Sequence, residues 1–96
     1  MPDEIVKLYL MDKRILNLRK EIDKIDEKII TLLKSRMDLS RKVGELKLTL
    51  NIPVEDKGRE DEIIQRLGEL ADGHLKEEQL MRIFMAVFKS SKQVQK

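Results

Sequence analysis

The chain has 96 residues with 20 basic and 18 acidic side chains, 40% charged and 3% aromatic residues, and no cysteine. This length suffices for one small domain, and the abundance of Leu, Ile, Lys and Glu predicts an all-α fold. The absence of cysteine and the single histidine argue against disulfides and a metal site, and the interleaved charges argue against nucleic-acid binding. The apolar run at the N-terminus is too short for a membrane span, so a soluble cytoplasmic protein is expected.

The first predicted helix runs from about Asp12 to Leu50, after an N-terminal extension (residues 1–11) without an interpretable pattern. Its apolar residues recur at alternating spacings of three and four, which is a heptad seam. The seam consists of Leu18, Ile22, Ile25, Ile29, Leu32, Leu39, Val43, Leu46 and Leu50, with Arg36 among them.

A helix of this length extends about 57 Å, whereas a compact monomer of this size has a radius of gyration of only about 13 Å. The rest of the chain is too short to cover such a seam. We therefore expect a second copy to cover it, in an intertwined helical homodimer.

Pro53 ends the long helix because proline lacks a backbone donor. A loop is predicted over Ile52–Gly58, then a second helix from about Arg59 to Asp72 that Gly73 stops, and a third helix from about Lys76. The expected architecture is a single domain over residues 1–96, with three helices per chain.

Polar residues interrupt the inward faces of all three predicted helices. Arg36 occupies a seam position and Lys47 follows it by three helical turns, while Glu60 precedes the apolar face of the second helix. Ser91 and Gln95 continue the apolar face of the third helix. Their coincidence on three helices predicts a polar pocket inside a helical bundle.

Each of these residues also has a simpler interpretation. In that interpretation, Arg36 pairs with an acidic residue of the partner chain and so sets the register of the dimer. Lys47 would extend to solvent along its aliphatic neighbours, and Glu60 would interact with the macrodipole of its helix. Ser91 and Gln95 would belong to a fraying C-terminus.

Two more residues of the long helix are informative. Arg19 lies 17 positions before Arg36, about 25 Å along the axis, so it cannot reach the same small ligand within one chain. In an antiparallel dimer it would enter the partner's pocket. Gly44 either permits a close helix approach or is simply tolerated.

Three stretches together resemble the all-helical class of chorismate mutase, over about Leu18 to Gln95. They are LRKEIDKIDEKIITLLKSRMDLSRKVGELK in the long helix, IPVEDKGRE at the loop and helix start, and FMAVFKSSKQVQ in the last helix. The resemblance implies that Arg36, and Arg19 from the other subunit, bind substrate carboxylates, and that Ser91 contacts the ring carboxylate. It assigns the ether oxygen to Lys47 and Gln95.

The resemblance also places Asp56, Arg59 and Glu60 near the substrate hydroxyl, with Val43 as an apolar wall. The expected catalytic residues are Arg36, Lys47, Glu60 and Gln95.

The implied reaction is the unimolecular Claisen rearrangement of chorismate to prephenate, in the biosynthesis of phenylalanine and tyrosine. It needs no cofactor, proton transfer or covalent intermediate. An isochorismate pyruvate lyase of the same fold is the nearest alternative, and a non-enzymatic helical dimerisation module is a second.

Overall fold

The computed structural model describes residues 2–96, except for the side chains of residues 2 and 9–11. It contains four helices in this range and confirms an all-α chain: α1 (Pro2–Met11), α2 (Lys13–Leu50), α3 (Lys57–Ala71) and α4 (Glu77–Gln95). The chain divides into two compact units, one up to Lys34 and the other Ser35–Lys96. No helix in the described part of the chain is both long and apolar enough to cross a membrane.

The prediction of three helices was wrong because the N-terminal extension forms α1. The signals were present, since proline is favourable at a first helical position and Asp3 and Glu4 lie in the first turn. Asp12 separates α1 from α2, and its carboxylate accepts a hydrogen bond of 2.9 Å from the backbone N–H of Arg14. This is N-terminal capping of α2, so the predicted start of the long helix is confirmed.

The end of α2 at Leu50 is also as predicted. Asn51 adopts a left-handed conformation with φ 58°. The backbone N–H of Ile52 donates to the carbonyl of Lys47 at 2.8 Å, and that of Asn51 donates to the carbonyl of Leu48 at 3.2 Å. This pair of bonds is a Schellman motif, which satisfies the last carbonyls before Pro53 turns the chain away.

The third helix, α3, begins at Lys57, two residues earlier than expected, because the Asp56 carboxylate caps it by accepting from the backbone N–H of Arg59 at 3.0 Å. It ends at Ala71 because Asp72 already has a left-handed backbone with φ 48°.

The apolar core of the second unit is small. Its buried apolar side chains are Ile63 of α3 and Leu80 and Phe88 of α4. The second unit also contains a close helix contact, because a Cβ placed on Gly44 would lie 2.6 Å from the Cα of Gln95. Of the two interpretations of Gly44, the structure therefore supports close approach.

The heptad seam of α2 is uncovered in the single chain. Its nine apolar residues retain between 44% (Val43) and 68% (Leu32) of their accessible surface. Aliphatic side chains at these spacings normally pack against another helix.

Candidate functional site

The second unit contains a cavity of about 450 Å³, which is large enough for a small metabolite. Except for Arg19, every residue predicted to form the site lines this cavity: Arg36, Val43, Lys47, Asp56, Arg59, Glu60, Ser91 and Gln95. Arg19 lies on α2 in the other compact unit. The three predicted helices thus bring their polar interruptions to one place.

Arg36 is half-buried, and its Nη1 donates a hydrogen bond of 2.5 Å to the Ser91 hydroxyl. Its guanidinium carbon lies 5.9 Å from the ring centroid of Phe88, within cation–π range. Burial and, secondarily, the positive charge of Arg59 lower the pKa of Arg36. No carboxylate of the described residues lies within ion-pair distance of this guanidinium. Its positive charge is therefore available to an anion in the cavity.

Ser40 is a lining residue that sequence reasoning missed. Its hydroxyl lies 2.6 Å from that of Ser91, and both serines are buried. Ser40 is hydrogen-bonded to Ser91, which in turn accepts from Arg36, so the two serines hold the guanidinium in one orientation. Since Ser40 follows Arg36 by four residues, helical periodicity places both on one face and was sufficient to find it.

The ammonium group of Lys47 donates a hydrogen bond of 3.0 Å to the carbonyl of Val54 in the loop after α2. The residue is half-buried, so the simpler interpretation of a solvated side chain does not hold. Because the backbone carbonyl of Lys47 also accepts from Ile52, the loop fixes both ends of this residue.

Gln95 is the last residue of α4, so the helix persists through the segment for which fraying was the alternative. Its Oε1 atom is buried and has no hydrogen-bond partner. An unsatisfied buried acceptor costs about 1–3 kcal/mol. An amide oxygen only accepts, so a ligand oxygen would be bound by the Nε2 group of Gln95 rather than by Oε1.

Asp56 and Arg59 line the cavity but are also engaged in α3. The Asp56 carboxylate caps the helix, and Arg59 forms a 2.6 Å ion pair with Glu62, an exposed residue three positions later. The charges of Asp56 and Arg59 border the cavity, but their contacts do not assign either residue a specific chemical role.

Glu60 lies in the first turn of α3, as the macrodipole interpretation required, yet its side chain is only 16% exposed. Its Oε2 lies 3.3 Å from the Nζ atom of Lys92, which also contacts Glu55 at 3.2 Å. Sequence reasoning missed Lys92. It follows Phe88 by four residues, at the edge of the apolar stripe of α4, and it lines the cavity, but only the path of the loop brings Glu55 to it.

A second, larger groove of about 760 Å³ lies between α3 and α4 and shares Glu60 and Phe88 with the first. Its other charged residues are Lys57, Asp61, Glu69 and Glu77. The excess of carboxylates makes it unsuitable for an anion. No group of three or more potential metal-ligating side chains was found among the described residues.

Comparison with known proteins identifies the family of this chain and several relatives. Residues 18–96 match the family described as chorismate mutase type II. The chain is 36% identical over 87 residues to the chorismate mutase of Methanocaldococcus jannaschii, covering 90% of this chain and 88% of that protein. It is 35% identical to the bifunctional chorismate mutase/prephenate dehydratase of Aquifex aeolicus, with 82% of this chain matched but only 23% of that protein.

A solved structure, a conserved hypothetical protein from Pyrococcus furiosus, is 40% identical and superposes with a TM-score of 0.73, covering 88% of this chain and 99% of that one. The match to the family profile extends from the seam of α2 to the end of α4 and so includes every residue that lines the cavity. This chain belongs to the chorismate mutase type II family.

Proposed function

We propose that this chain catalyses the rearrangement of chorismate to prephenate in the cavity lined by Arg36, Lys47 and Gln95. The observation that carries the proposal is a half-buried guanidinium without a carboxylate partner at the wall of a cavity of about 450 Å³. A buried cation requires an anionic partner. The dianion chorismate supplies one.

The cationic side of the cavity would bind the substrate in its reactive shape. Arg36 offers a planar fork that matches a carboxylate, and the Ser40 and Ser91 hydroxyls hold it in one orientation. Fixing a carboxylate at each end of the substrate selects the compact conformer in which the bond-forming carbons are close together. Such positioning contributes several kcal/mol to rate acceleration, about 7–11 kcal/mol in the best cases.

The ether oxygen gains negative charge as its bond to carbon breaks. Donors from Lys47 and Gln95, fixed before the reaction, would stabilise this charge more in the transition state than in the ground state. The loop holds Lys47, and the contact with Gly44 holds the backbone of Gln95. The Lys47 ammonium group is therefore held before the substrate binds, and the backbone that carries the Gln95 amide is fixed close to α2.

The proposed assembly is a homodimer paired through the α2 seam. Its exposed aliphatic side chains occur at the spacings with which a helix packs on a copy of itself. Arg36, Leu39 and Val43 belong both to the seam and to the lining of the cavity. A partner helix on the seam would thus border the site, and we propose that it contributes Arg19.

We treat residues 1–96 as one functional domain, with α1 as an extension outside the matched region. A location in the cytoplasm stays a prediction.

The decisive experiment incubates the purified protein with chorismate and follows prephenate formation. Arg36→Ala should lose substrate affinity and turnover while circular dichroism retains the helical content. A parallel incubation with isochorismate, monitored for pyruvate, tests the lyase alternative. Absence of prephenate from the wild-type protein would reject the proposal.

The dimer is tested by sedimentation of seam variants. Ile25→Lys, at a seam position 55% exposed in the single chain, should shift the protein towards monomer and lower activity. Leu48→Lys is the matched control, because Leu48 lies off the seam and is 84% exposed. Equal sedimentation of both variants would contradict pairing through this seam.

A further inference from the structure

Glu60, an acidic residue that lines the cavity, forms an ion pair with Lys92, which has no role in the proposed mechanism. Glu60 lines the cavity and is only 16% exposed, so its carboxylate lies close to the space that a dianion would occupy. A carboxylate at this position repels the substrate unless a positive charge neutralises it.

Lys92 supplies that charge. Its Nζ atom lies 3.3 Å from Oε2 of Glu60 and 3.2 Å from Oε2 of Glu55, and its own side chain is 29% exposed. Hydrogen bonding to Glu55, opposed by burial and reinforced by Glu60, raises the pKa of Lys92. The two carboxylates are not equivalent, because Glu60 lines the cavity and Glu55 does not.

We propose that Lys92 is a positioning residue that orients the Glu60 carboxylate and screens its charge from the incoming substrate. Glu55 holds the ammonium group in place from the solvent side. The inference rests on the proposed function, since it concerns binding of the same dianion in the same cavity.

Lys92 itself lines the cavity, and its ammonium group has three N–H donors, of which the two carboxylates engage at most two. Direct substrate binding by Lys92 is therefore the alternative that the experiment has to separate from screening. If Lys92 acts by screening, removing its charge should matter only while Glu60 is charged.

The test is a double-mutant cycle in which KM and kcat for chorismate are measured separately. Lys92→Gln should raise KM by about tenfold and change kcat by less than about threefold, because an unscreened charge weakens ground-state binding. Lys92→Arg retains the charge and should stay within about twofold of the wild-type KM. The inhibition constant of prephenate, also a dianion, should change in parallel with KM.

In a Glu60→Gln background, Lys92→Gln should have almost no further effect on KM, since no carboxylate remains to be screened. Glu55→Gln should raise KM much less than Lys92→Gln, because the glutamine oxygen can still accept from the ammonium group and Glu55 lies outside the cavity. Lys89→Gln is the charge-matched control on the exposed face of the same helix.

Three results would overturn the role of Lys92. One is an unchanged KM in Lys92→Gln, whether or not the unfolding midpoint falls; another is an equal rise in KM with and without Glu60, which would mean direct substrate contact. The third is a Glu55→Gln variant as impaired as Lys92→Gln, which would mean that the pair only tethers the loop. A wild-type protein inactive on chorismate would instead contradict the proposed function itself.

Discussion

Substitution of Gly44 by alanine should separate catalytic geometry from stability. A Cβ at this position would lie 2.6 Å from Cα, 2.7 Å from O and 2.8 Å from Cβ of Gln95. Carbon atoms in contact prefer about 3.5–4.0 Å, so the end of α4 has to retreat by about 1 Å. A misplacement of this size near reacting groups can lower the rate by about 10²-fold.

The stability change has two opposing contributions. Alanine is favoured over glycine inside a helix by about 1 kcal/mol, whereas overpacking costs about 1–3 kcal/mol. Gly44→Ala should therefore be between neutral and about 2 kcal/mol less stable, with kcat reduced by about 10–100-fold. Urea unfolding and steady-state kinetics at equal protein concentration measure the two quantities.

Gly68→Ala is the matched control. It is also a helical glycine, but the nearest atom to its added Cβ is Cδ2 of Leu80 at 3.9 Å, an ordinary contact. It should gain about 1 kcal/mol, or about 4–8 °C in Tm, without loss of activity. If Gly44→Ala were stabilised like Gly68→Ala and kept its kcat, the close contact would not position Gln95.

Other substitutions test the remaining contacts. Lys47→Ala and Gln95→Ala should each lower kcat by about 10²–10³-fold, the usual effect of losing one transition-state donor, with helical content unchanged; near-normal turnover in either variant would contradict the mechanism. Mixing Arg19→Ala with Arg36→Ala subunits should restore part of the activity, because a heterodimer has one intact composite site, and no recovery after confirmed subunit exchange would mean that Arg19 acts differently. Ser40→Ala should raise KM for chorismate by about fivefold, since one neutral hydrogen bond contributes about 1 kcal/mol; an unchanged KM would show that Ser40 does not orient the guanidinium.

Periodicity and capping signals were sufficient for most of the fold. The limits of α2 follow from Asp12 and Pro53, and both lie within one to three residues of the observed ends. Helix α1 was not predicted because its segment has no heptad pattern, and its only clear helix signals are the proline and the acidic residues of its first turn. A helix of ten residues has little intrinsic stability, so local sequence gives it weak support.

The cavity was predictable to the extent that helical spacing fixes which side chains share a face. Arg36 and Ser91 were found in this way, and Ser40 follows from the same rule. The pairing of Lys92 with Glu60 was not predictable, because it depends on how α3 and α4 pack and on where the loop places Glu55. Contacts between different helices and loops depend on tertiary packing, which helical periodicity does not determine.

The two connections within the second unit differ in how freely they can be altered. The segment after α2 is bonded to Lys47 through both Ile52 and Val54, so an added residue there would move a proposed catalytic ammonium group. The turn around Gly73 and His74 is exposed, and its hydrogen bonds return only to the end of α3. Tags, fluorophores or whole fusion partners are therefore best inserted in this turn, where they would leave the geometry of the cavity unchanged.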